Sequence, residues 1–98
     1  MLTFQGGFYD RFYCDTLDVT GDGRYIAGIS PTEVVVIDAM NQKIIAKHEF
    51  KDRGRLLNVK ISGNGRYLVW THNWEMYHVE FLDNEIRNIT KLNVVKLL

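Results

Sequence analysis

A shift of 42 residues lays the chain on itself without a gap. Val19-Thr20-Gly21-Asp22-Gly23-Arg24-Tyr25-Ile26-Ala27 falls on Ile61-Ser62-Gly63-Asn64-Gly65-Arg66-Tyr67-Leu68-Val69. The same shift puts Glu33 on Glu75, Ile37 on Val79, Ile44 on Ile86 and Phe50 on Leu92. Six of the 34 pairs between 17–50 and 59–92 are identical: Gly21, Gly23, Arg24, Tyr25, Glu33 and Ile44 with their partners. A constant offset with like-for-like swaps (Asp22/Asn64, Thr20/Ser62) is the mark of a repeated supersecondary unit. A chain of 98 residues therefore holds two such units, not one undivided core.

Each unit reads as four strands. Strand A is Leu17 to Thr20, and then Val59 to Ser62. Asp22-Gly23 and Asn64-Gly65 follow as hairpin signals, of the kind that a two-residue turn with both central residues at positive φ favours. Strand B is Arg24 to Ile29 and Arg66 to Thr71. Strand C is Glu33 to Ala39 and Glu75 to Leu82, entered through Ser30-Pro31-Thr32 and His72-Asn73-Trp74. Val34-Val35-Val36-Ile37 is a β-branched run, which predicts a strand covered on both faces. Polar turns at Asn41-Gln42 and Asp83-Asn84 lead to strand D, Lys43 to Phe50 and Glu85 to Lys91. Turns recur at an all-β rhythm, and no helical periodicity with caps competes with it.

The turn Thr20-Gly21-Asp22-Gly23-Arg24-Tyr25-Ile26-Ala27 resembles the S-P-D-G-K-Y-I-A turn of WD40-like, TolB-like and YVTN propellers. Val35-Val36-Ile37-Asp38-Ala39-Met40-Asn41-Gln42-Lys43-Ile44-Ile45-Ala46 is similar to the V-S-V-I-D-T-A-T-N-K-V-V-A segment of YVTN blades. The second unit keeps the turn but has Met76-Tyr77-His78-Val79-Glu80-Phe81 in that segment, and neither unit carries the Gly-His or Trp-Asp dipeptides of WD40 repeats. The resemblance spans residues 17–92. It implies an all-β fold of two four-stranded antiparallel propeller-like blades, and it implies no activity, because propellers host unrelated functions.

Propellers close with about four to eight blades, and two blades alone would expose two apolar sheet faces, which usually mark interfaces. The expectation is a single domain, 1–98, completed by oligomerisation: an orphan D-like strand and linker over 1–16, a first blade with linker over 17–58, and a second blade with tail over 59–98. Residues 1–8 align with the end of a D strand and could add to a neighbour's sheet edge. Phe4, Phe8, Tyr9, Phe12 and Tyr13 crowd this segment and are the expected self-assembly residues. Two alternatives stand beside this: an excised piece of a longer propeller, and two sheets packed only on each other.

Composition excludes whole classes of function. Twelve basic and twelve acidic residues give zero net charge, which argues against a nucleic-acid partner. No apolar run is long enough to span a membrane as a helix. Met1 to Gly7 hold neither a basic residue nor an apolar run, so no signal peptide and a cytoplasmic location are expected. One cysteine makes no disulfide framework, and Cys14 beside Asp15 lacks the basic neighbour of an activated thiol. Asp18 to Gly23 begins like a calcium loop, but the twelfth position is Ile29 where a Glu is required. His78, Glu80 and His72 fall short of a converging ligand set. The expectation is a non-enzyme with no cofactor and no metal.

What remains is the loop rim at one end of the sheets, shared by the B–C and D–A connections. Arg53, Arg55, His72, Asn73 and Trp74 sit there, and Trp beside Arg is the composition of a binding hot spot. Trp70 lies mid-strand and reads as core, and Arg24 and Arg66 are expected to pair with nearby acidic groups. The expected function is a non-catalytic interaction module that self-assembles and binds a partner protein through this rim. A small-ligand or glycan-binding module is the alternative. It would repeat a pocket in each unit, whereas Ser30-Pro31-Thr32 and His72-Asn73-Trp74 differ.

Overall fold

The computed structural model describes residues 17–93. The segments with Phe4, Phe8, Tyr9, Phe12, Tyr13 and Cys14, the orphan strand at 1–8 and the tail at 94–98 lie outside them. The described chain is all-β, with eight strands: β1 (Leu17–Val19), β2 (Tyr25–Ile29), β3 (Glu33–Asp38), β4 (Lys43–Glu49), β5 (Asn58–Ile61), β6 (Tyr67–His72), β7 (Glu75–Leu82) and β8 (Glu85–Leu92). They form two antiparallel meanders in sequence order, β1-β2-β3-β4 and β5-β6-β7-β8. The described residues hold no helix, and so none long and apolar enough to cross a membrane.

The repeated Thr/Ser-Gly-Asp/Asn-Gly-Arg-Tyr segment builds the same turn twice, but not the expected one. Gly23 and Gly65 have φ of 75° while Asp22 and Asn64 are not left-handed. Gly23 N donates to Thr20 O (2.9 Å) and Gly65 N to Ser62 O (2.9 Å). Thr20 N donates to Tyr25 O (3.0 Å) and Ser62 N to Tyr67 O (2.9 Å), so each loop holds four residues, the third a left-handed glycine. The Asx side chain acts as an acceptor inside the loop. Asp22 Oδ1 accepts from Arg24 N (2.9 Å) and Thr20 Oγ1 (2.7 Å), and Asn64 Oδ1 from Arg66 N (3.0 Å) and Ser62 Oγ (2.7 Å). The hydroxyls accept in turn from Tyr25 N and Tyr67 N. Asp and Asn interchange here because only an acceptor oxygen is needed. Two-residue turns with both residues at positive φ occur instead at Asn73-Trp74 (52°, 69°) and Asp83-Asn84 (53°, 60°).

The two sheets pack face to face around one core. Sheet one contributes Ala27, Ile29, Val34 and Val36; sheet two contributes Val59, Ile61, Leu68, Trp70, Val79 and Phe81. Trp70 is 1% exposed, as its mid-strand position predicts. The 42-residue shift gives this packing a direction. The inward residues of sheet one correspond to Val69, Thr71, Met76 and His78, none of which lies in the core. The inward residues of sheet two correspond instead to sheet one's outer face. The units stack the same way round, front of one on back of the next, and no two-fold relates them. β1 and β2 lie against β5, and β4 against β8.

Among the described residues the two expected exposed apolar faces are not found. Every residue of β3 is buried. Val35 and Ile37 form a second cluster with Leu17 and Ile26 on the face away from sheet two. The outer face of sheet two is mixed: Val69 and Met76 are half-buried among Lys60, His78 and Thr90, which are exposed. Polar side chains at alternate positions leave that face wettable.

Candidate functional site

The sheets are joined most tightly at their first strands. Asp18 Oδ2 accepts from Ile61 N (2.8 Å) and Gly21 N donates to Gly63 O (3.1 Å). At the other end, near the rim, a cleft of about 400 Å³ opens between β4 and sheet two.

The rim itself is one hydrogen-bonded platform. Gly54 N donates to Pro31 O (2.7 Å), Phe50 N to Thr32 O (2.9 Å) and Asn73 N to Arg55 O (2.9 Å). Asn73 Oδ1 accepts from Arg55 N (2.8 Å), Leu56 O accepts from Thr71 Oγ1 (2.8 Å), and His72 Nε2 lies 3.1 Å from Asp52 O. Gly54 is buried under His72: a Cβ added there would stand 2.3 Å from His72 Cδ2. The structure thus brings together all five rim residues that the sequence singles out. Arg53, Arg55, Asn73 and Trp74 are exposed and His72 is half-buried. Trp74 is 84% exposed and left-handed. Asn tolerates that conformation, whereas a bulky side chain there is strained.

The cleft walls come from both units. His48 and Phe50 stand on one side; Trp70, His72, Glu75 and Tyr77 stand on the other. The rings form a ladder across the sheets: His48 stacks on Trp70 at 5.4 Å, Phe50 lies 4.0 Å from His72, and Trp70 lies 6.2 Å from Tyr77. Glu75 accepts from the Tyr77 hydroxyl (2.8 Å) and pairs with Lys91 (3.4 Å). Those two contacts, the hydroxyl first, hold its carboxyl below the ordinary value, and the bond to Glu75 pushes the Tyr77 phenol up. Burial, followed by the nearby His72, lowers the His48 imidazole. Three groups with perturbed acidity in one aromatic cleft are a physical signal of a binding site. The other two, Asp22 and Asp38, are lowered by turn hydrogen bonds, to Arg24 N and to Asn41 respectively.

Sequence reasoning found the rim and missed the cleft, because His48 and Tyr77 lie 29 residues apart and meet only through sheet stacking. Other residues fall elsewhere. His72 faces inward while His78 faces outward, stacked on Tyr67 at 5.4 Å, and Glu80 accepts from Asn88. Among the described residues no group of three or more His, Cys, Asp or Glu is placed to hold a metal. Neither Arg24 nor Arg66 forms an ion pair within 4 Å of another described residue, although, after the turn hydrogen bonds, the charge of Arg24 is among the causes that lower Asp22 and Asp38. The Arg24 guanidinium lies over the Tyr25 ring at 5.1 Å instead, which keeps the charge at the water side of the turn.

No protein-family model matches the chain, and no curated protein matches it.

Proposed function

We propose that this chain is a non-catalytic interaction module that takes a partner protein on its loop rim, and that its two units are propeller blades whose faces and edges also support self-assembly. The observation that carries the partner reading is Trp74, 84% exposed at a left-handed φ of 69° on the hairpin tip. An unneeded strained aromatic would be cheaply replaced by glycine, and strain of this kind clusters at functional positions. Exposed Trp and Arg are the residue types that dominate interface energetics. Lys51, Arg53 and Arg55 outnumber Asp52 on the rim, so the complementary partner offers an apolar pocket edged by carboxylates. Same-way stacking supports the self-assembly reading, because a further copy could continue it head to tail.

The test compares immobilised wild type, Trp74→Ala and the control Met40→Ala. Met40 is 78% exposed on the opposite rim. A partner retained from cell extract by wild type and by Met40→Ala, and lost with Trp74→Ala, is the expected result. The same proteins retained by all three would overturn the rim reading.

A further inference from the structure

The geometry points to a second binding site, adjoining the rim and sharing His72 and Asn73 with it: the cleft between β4 and sheet two binds a neutral sugar ring, with Tyr77, Phe50 and His72 offering ring faces and Glu75 and Asn73 taking its hydroxyls. The volume, about 400 Å³, is that of a small-molecule cleft.

Charge selects the ligand class. The Glu75 carboxylate is balanced by Lys91 at 3.4 Å. The other charges of the lining also stand in opposite pairs, Glu49 with Lys47 at 3.2 Å and Lys51 next to Asp52, and burial disfavours the charged form of His48. Such a site has no net field with which to select an anion or a cation. The polar groups select further. Glu75 offers acceptor oxygens beside Asn73, whose Oδ1 is committed to Arg55 N, leaving its NH2 group as a donor. An acceptor and a donor two residues apart on one hairpin match adjacent hydroxyls, each of which donates and accepts. Aromatic ring faces alongside suit a ligand with one apolar face and a polar edge.

The repeat shows that the site is single. By the 42-residue shift, Trp70, His72 and Tyr77 correspond to Gly28, Ser30 and Val35, and His48 and Phe50 to Thr90 and Leu92. No second set of rings exists at the equivalent positions. A requirement for one pocket per unit therefore does not apply to a cleft formed between units.

The experiment titrates the full chain with methyl glycosides of glucose, galactose, mannose and N-acetylglucosamine, and with their 1,4-linked disaccharides, following backbone amide NMR shifts. At least one sugar should give saturable shifts confined to 48–52 and 70–77, with a dissociation constant on the order of 1 mM for so open a cleft. Glu75→Gln should weaken it about tenfold. Tyr77→Phe, which keeps the ring and the packing, should weaken it several-fold. Trp74→Ala should leave it unchanged, which separates this site from the Trp74 contact on the rim. The inference fails if no sugar saturates cleft amides. It fails equally if indole or a charged amino acid saturates them where sugars do not, or if Glu75→Gln and Tyr77→Phe bind as wild type does.

Discussion

Two residues at the rim carry opposite constraints. Gly54 is there because nothing larger fits: a Cβ would meet the His72 ring at 2.3 to 2.6 Å and Leu57 Cδ2 at 2.9 Å. Gly54→Ala must therefore displace His72 from Phe50. A loss of about 1–3 kcal/mol is expected, as for other overpacked sites, measured by urea unfolding. Trp74 is the reverse case, a large residue where glycine would be easier. Trp74→Gly should gain about 1 kcal/mol by relieving the left-handed strain, read in the same urea series, while losing the rim partner. A variant that is both less stable and still competent to bind would refute the account of Trp74. The Asx-Gly turns show how legible single residues were. Their positions, and the left-handed glycine, could be read directly. The turn type could not, because choosing between a two-residue and a four-residue loop depends on which residues pair across it.

At the scale of strands, the junction between units rests on β1 and β5. Asp18 accepts from the outward N–H of Ile61, a group that β6 does not use. The equivalent residue in the second unit is Lys60, which cannot accept a hydrogen bond. Asp18→Ala should cost about 1–3 kcal/mol, the penalty for an orphaned donor that is partly buried, whereas Lys60→Ala should be near neutral. Equal effects in thermal unfolding would mean that the Asp18–Ile61 bond does not hold the sheets together. The strands themselves were nearly all readable, to within a residue or so at each end, because hairpin signals and β-branched runs are local properties. Their faces were readable only in part. The run Val34 to Ile37 announced a strand covered on both sides, and β3 is one. That Val69 and Met76 of the second unit would face outward among charges depended on which way round the sheets stack.

For the molecule as a whole, acidity should matter in two stages. The His48 imidazole is lowered by burial and then by His72, and Glu49, Asp52 and Glu75 are the acidic residues lining the same cleft, with Lys51 the basic one. A histidine whose folded value lies below its unfolded 6.5 takes up fewer protons when folded. Stability is then intact above that pH and falls as the pH drops from there through the lowered folded value. Asp22, Asp38 and Glu75 are lowered carboxyls, so their contribution holds above the unfolded carboxyl range and is lost below it. His48→Gln should abolish the first stage only, seen in thermal unfolding at about pH 5 and about pH 7.5. An unchanged slope between those values would remove His48 from the account. Self-assembly is checked by light scattering: a defined multiple of the single-chain mass is expected, and a monodisperse monomer would end that part of the proposed function.

The 42-residue period, the eight strands, the buried Trp70 and the rim hairpins are all determined by the sequence alone. Each follows from local chemistry: turn residues, alternation, and β-branching within a few positions. The direction of stacking, the wettable outer face of sheet two and the aromatic cleft were decided by the tertiary structure. They join residues far apart in the chain, and no local pattern states which face of one meander meets which face of the next. The cleft is the clearest instance, since His48 and Tyr77 carry no shared signal until two sheets place them across one gap.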